Sequence, residues 1–156
     1  MLGIFGNRAV PFSAILLGFS GLLPFIIFSS LEIVEWDIGI SDTTFALRAY
    51  SAVILSFLGG VIWGIGIQNY REQAIDDMKI TLILVISVIP SLIGWIGLLV
   101  DQTLGVWFLL FGFVLIFLID LRLGKNYIAP DWYPQLRKPL TAIVVACLFL
   151  VLVKGA

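Results

Sequence analysis

Histidine is absent from this chain, cysteine occurs once, and charged residues make up only 12% of its 156 positions. Each shortage removes a class of function. Without histidine the chain has neither the commonest metal ligand nor the usual proton shuttle near neutral pH. The lone thiol, Cys147, lies inside an apolar run and reads as a small space-filling side chain with no redox role. Nine basic residues against ten acidic ones leave a net charge of −1, so no basic surface points to nucleic acid. Metal-ligand clusters, phosphate-binding loops, nucleophile elbows and histidine-dependent triads are all missing. The chain is therefore expected not to be an enzyme. It offers no catalytic residue and no metal site, and names no cofactor.

Apolar residues fill the space these shortages leave. They make up 61% of the chain, and the mean hydropathy is +1.13. Five stretches carry no charge: Ala9–Leu31, Ala49–Tyr70, Ile80–Val100, Gln102–Ile119 and Pro139–Val153, of 23, 22, 21, 18 and 15 residues. A bilayer core about 30 Å thick takes roughly 20 apolar residues of helix to cross. The fold expected is an all-α integral membrane protein with five transmembrane helices in one bundle. The spans fall at about 11–31, 47–68, 80–100, 103–121 and 139–153. The connections are too short for a folded soluble domain. The first apolar run exceeds a signal-peptide core, and no small-residue cleavage pattern follows it, so it is expected to be a retained helix.

Basic residues set the expected orientation. With the N-terminus cytoplasmic, Arg8, Arg71, Lys79, Arg122, Lys125, Arg137 and Lys138 fall inside, and only Arg48 and Lys154 outside. That bias places the C-terminus outside. Pro24 and Pro90 should kink the first and third spans. Trp36 is expected at the outer interface, and the proline- and aromatic-rich segment 120–139 at headgroup level. The fifth helix is expected to be short, with Arg137, Lys138 and Lys154 reaching outward to cover the mismatch.

Three places could carry chemistry. On the second span Ala52, Ser56, Gly60, Gly64 and Gln68 recur every four residues and share a face. Gly60 and Gly64 read as a helix-packing pair, since small residues let backbones approach in lipid. Beside Trp63 the same glycines could instead leave room for a passing solute. On the third span Ser87, Pro90, Ser91 and Trp95 mark either a bend or a discontinuous binding site. Asp120, at the inner end of the fourth span, is a boundary carboxylate paired with a basic residue or a proton or cation site. Arg122 lies two residues away, off its helix face, so Arg137 or Arg71 is the expected partner.

Several segments in order also resemble a bacterial family of unknown function that includes the mitochondrial transmembrane protein 69 homologues. They are Tyr50-Ser-Ala-Val-Ile-Leu-Ser-Phe-Leu-Gly-Gly-Val-Ile-Trp-Gly64, Ile89-Pro-Ser-Leu92 with Trp95, Asp120, and Pro130-Asp-Trp-Tyr-Pro-Gln-Leu-Arg137 with Leu140-Thr141. The similarity runs over roughly residues 9 to 153. In that family a polar residue often precedes the first tryptophan; here Ile62 stands there. The resemblance implies a small multi-pass protein of the bacterial inner (plasma) membrane or of mitochondria, and no particular activity.

Two functions remain open. The first is a transport or ion-conducting module acting as a homo-oligomer, with its path beside Ser56, Trp63, Ser91, Trp95, Asp120 and Arg137. The alternative is an accessory or assembly subunit of a larger membrane complex, for example a respiratory one. The lipid bilayer is the expected environment in both.

Overall fold

The structure is a computed structural model that describes residues 10–34, 42–125, 128–130 and 132–154. Six helices appear in order: α1 (Phe12–Ser20), α2 (Leu23–Val34), α3 (Thr43–Arg71), α4 (Asp77–Leu99), α5 (Gln102–Lys125) and α6 (Trp132–Lys154). Taken together α1 and α2 make one span, and α3 to α6 make four more, so five segments are long and apolar enough to cross a membrane. Trp36, expected at an interface, lies outside the described residues.

The first span is interrupted at Gly21 and Leu22, where the run of helical hydrogen bonds lapses although Gly21 keeps right-handed helical backbone angles, and Pro24 falls in the first turn of α2. A proline there loses no helical bond, because first-turn N–H groups have no partner inside the helix. The hydroxyl of Tyr50 donates to the freed Gly21 carbonyl at 3.0 Å, which satisfies the break from α3. α1 contributes no buried residue and packs on α6.

The last span is longer than the sequence suggests. α6 starts at Trp132, not at residue 139, and its 23 residues extend roughly 34 Å at 1.5 Å per residue. Residues 132–138, expected in a headgroup-level loop, form its first two turns. Pro134 falls in the first of these turns, and burial of Tyr133 and Arg137 holds them in place.

α2, α3, α5 and α6 surround the core, and α4 packs outside on α3 and α5. Phe25 of α2 stands edge-on to Tyr50 of α3 and Phe113 of α5, with ring centroids 5.1 and 5.7 Å away. Leu55, Ile62, Leu109, Ile116 and Leu148 complete this centre at 0% exposure.

The tightest contact joins α3 to α4. Ala52, Gly59 and Gly66 recur every seven residues on α3 and meet Gly94, Ser87 and Ile80 of α4, which recur every seven in reverse order, with Ile83 closer still to Gly66. A Cβ at Gly59 would collide with the Ser87 carbonyl, and one at Gly94 would lie 3.1 Å from the Ala52 Cα. A seven-residue repeat of small side chains keeps one seam facing its partner along two antiparallel helices. Pro90 is buried within α4, and the helix runs on past it.

Candidate functional site

Asp120 is fully buried in α5, and Arg137 of α6 is 6% exposed. The arginine Nε donates to Asp120 Oδ2 at 2.8 Å. Of the two expected partners it is Arg137 that pairs, while Arg71 is exposed at the end of α3. The helices come close here because Gly124 lies against the ring of Pro134. Tyr133, Arg137 and Thr141 are spaced by four, so they share the α6 face that meets α5. The Tyr133 hydroxyl adjoins the Asp120 carboxylate without a well-formed hydrogen bond. Asp120 Oδ1, Arg137 Nη2, the Tyr133 hydroxyl and Thr141 Oγ1 are all buried without a partner.

Arg48 forms a second buried centre that the sequence reading missed. It is 6% exposed in the second turn of α3. Its Nε and Nη2 donate to the Gly97 carbonyl at 3.2 and 2.7 Å, and Nη2 also donates to the Val100 carbonyl at 2.8 Å. These are terminal carbonyls of α4, where the helix dipole favours a cation. A Cβ at Gly105 would lie 2.6 Å from the guanidinium, so a glycine on α5 leaves space for it. Among the described residues no carboxylate pairs with Arg48. One signal was present in the sequence: the second span, read as 47–68, already enclosed this arginine.

The remaining candidates lie apart. Ser56 is exposed and donates to the Ala52 carbonyl of its own helix at 2.9 Å. Trp63 and Trp95 are 42% and 59% exposed on the outside of the bundle. Ser91 is half-buried at the α3–α4 contact, opposite Gly59. Ser87 donates to the Leu84 carbonyl of its own helix at 2.7 Å. Only Asp120 and Arg137 of the six expected site residues are brought together.

The glycine pair needs correction within the protomer. Nothing lies within 4 Å of a Cβ placed at Gly60 or Gly64. On α3 the internal packing glycines are Gly59 and Gly66. Gly60 and Gly64 face outward with Ser56, and a shallow depression lined by Gly64, Ile67, Gln68, Arg71 and Glu72 continues that face.

Outside the spans, Asp76 caps α4. Its Oδ1 accepts the Lys79 backbone N–H at 2.8 Å. That hydrogen bond, with the nearby Lys79 charge, holds the carboxyl below its ordinary range. At the opposite end of the bundle, Thr43 donates to the Glu32 carboxylate and Lys154 donates to the Glu32 carbonyl, tying α2, α3 and α6 together.

Apolar helices of spanning length, small-residue seams and charges buried against helix partners define a polytopic α-helical membrane protein. The chain belongs to the family described as Protein of unknown function (DUF3429), whose model matches residues 10–153. It is also similar to Transmembrane protein 69 of Xenopus tropicalis, at 34% identity over 140 residues. That match covers 88% of this chain and 53% of the relative, so the chain spans about half the length of the curated relative. No solved structure matches the chain.

Proposed function

We propose that this protein is a non-catalytic accessory or assembly subunit of a larger membrane complex. One observation carries the reading: the buried charged side chains are held at two separate helix contacts, while α3 turns a small-residue face outward. Asp120 is engaged by Arg137 and Arg48 by the end of α4, while Ser56, on the exposed side of α3, bonds only its own helix. A conduction path needs Ser56, Ser91 and Asp120 on one wet route, and these residues lie apart: Ser56 on the outward face of α3, Ser91 at the α3–α4 contact and Asp120 at the α5–α6 contact. Gly60 and Gly64, in contrast, have open space beside them. In lipid, helices associate through such close-approach surfaces. On this reading the protein resides in a bacterial inner membrane with its N-terminus cytoplasmic, as its basic residues suggest.

The test is gentle purification of the native protein into lipid nanodiscs, followed by mass determination. Recovery with other membrane subunits is the expected result. Recovery of self-assembled chains alone would overturn the accessory reading and return attention to conduction.

A further inference from the structure

The turn that joins α3 to α4 gathers charged side chains at one end of the bundle, and most of them already have partners. Asp76 pairs with Lys79 at 3.5 Å, and Asp77 Oδ1 accepts from the Tyr70 hydroxyl at 2.8 Å. Arg71 and Glu72 are left. Both are exposed, and although adjacent in sequence they form no ion pair with each other. Among the described residues Arg71 has no partner, and Glu72 accepts only the Gln68 amide, at 3.1 Å.

These two opposite charges line one depression together with Gly64, Ile67 and Gln68. Its volume, about 520 Å³, suits a small organic group better than a single ion. Position along α3 orders the lining. Arg71 and Glu72 close it at the helix end, and Ile67 and Gly64, one and two turns back, lead into the uncharged span. Nothing lies within 4 Å of a Cβ placed at Gly64, so that end is open.

Charge then selects the occupant. An anion alone would meet Arg71 and be repelled by Glu72, and a cation alone the reverse. A molecule carrying both charges satisfies both walls. It must also carry an apolar tail, because the far end of the depression opens toward hydrocarbon. Those are the features of a zwitterionic phospholipid. Guanidinium groups bind phosphate through charge-assisted hydrogen bonds. A primary ammonium donates hydrogen bonds to a carboxylate, whereas a quaternary one has no N–H to give. We infer that the end of α3 binds an aminophospholipid of the surrounding membrane, with its phosphate on Arg71, its primary ammonium on Glu72 and an acyl chain running past Gly64. It goes beyond the accessory reading and does not depend on it.

Native mass spectrometry tests this on the full chain, released from nanodiscs made of equal parts phosphatidylethanolamine, phosphatidylcholine and phosphatidylglycerol. The wild type is expected to retain phosphatidylethanolamine several-fold over the other two. Glu72→Gln should abolish the preference over phosphatidylcholine, and Arg71→Gln should cut retention of both. Equal retention of all three lipids by the wild type, or a preference for phosphatidylglycerol, would overturn the site. So would an unchanged preference in Glu72→Gln. Lys138→Gln is the control. This exposed lysine of α6 lies at the same end of the bundle, where Asn69 of α3 donates to the Ile128 carbonyl at 2.9 Å. Its loss should leave retention unchanged, and a loss of retention equal to that in Arg71→Gln would assign the effect to general charge and overturn the site. The lipid is read on the protomer and the accessory role on co-purifying subunits, so either can fail without the other.

Discussion

Asp120 and Arg137 are buried together, so neither charge can be removed alone without stranding the other. Truncating one partner of a buried pair costs about 3–5 kcal/mol, whereas replacing both with apolar side chains of similar volume is often neutral or better. Asp120→Leu and Arg137→Met are each expected to destabilise the bundle by about that amount. The double variant should regain most of the loss in a denaturant titration in detergent micelles. A double variant as unstable as the worse single one would mean that the two groups do not act as a pair. This site was half legible in the sequence. An acid after eighteen uncharged residues stood out, and helix geometry excluded Arg122. The choice between Arg71 and Arg137 was not legible, because it depends on α6 beginning at Trp132 and carrying Arg137 into the bundle. The sequence places Arg48 only among the charges on the outer side. Its role rests on long-range contacts with Gly97, Val100 and Gly105, which no local pattern announces.

The α3–α4 hairpin makes the same point about neighbouring residues on one helix. Gly59 and Gly60 are adjacent, and each begins a plausible small-residue stripe. The four-residue spacing of Gly60 and Gly64 drew the sequence reading. The seven-residue spacing of Ala52, Gly59 and Gly66 forms the contact, because α4 repeats in the same register with Gly94, Ser87 and Ile80. Periodicity on one helix cannot reveal a matching period on another until the two are paired. Gly59→Ala is expected to push the helices apart and destabilise by about 1–3 kcal/mol, as overpacked contacts do. Gly60→Ala should leave the melting temperature of the isolated protein nearly unchanged. Equal effects at both positions would contradict the seam. The start of α4 should respond to acid. Asp76 has a lowered folded-state pKa, so its capping support is present above the ordinary carboxylate range and is lost as pH falls through that lowered value. Hydrogen-exchange protection of the Lys79 amide should fall across that window in the wild type. Asp76→Ala should remove the pH dependence, and a dependence that survives would assign it to another group.

For the molecule as a whole, length and hydropathy were enough to read five spans, since a bilayer demands long uncharged helices whatever they do. The break at Gly21 and the start of α6 were not readable that way. Tyr50 satisfies the first from another helix, and burial at the α5–α6 contact sets the second. The same separation of local from long-range information governs the function. The face of α3 left open by the bundle is a property of the whole assembly of helices, and it gives the accessory reading its sharpest test. Gly60→Leu places a large side chain where nothing lies within 4 Å, so the folded chain should keep its melting behaviour in detergent. In the membrane the same side chain would block close approach of a second helix. The expected result is therefore a normally folded protein that purifies without the larger assembly formed by the wild type. If the assembly persists with leucine at this position, the open face of α3 is not where the partner docks. If folding itself fails, the Gly60 side of α3 is packed within the protomer after all, and the distinction between its two glycine stripes is wrong.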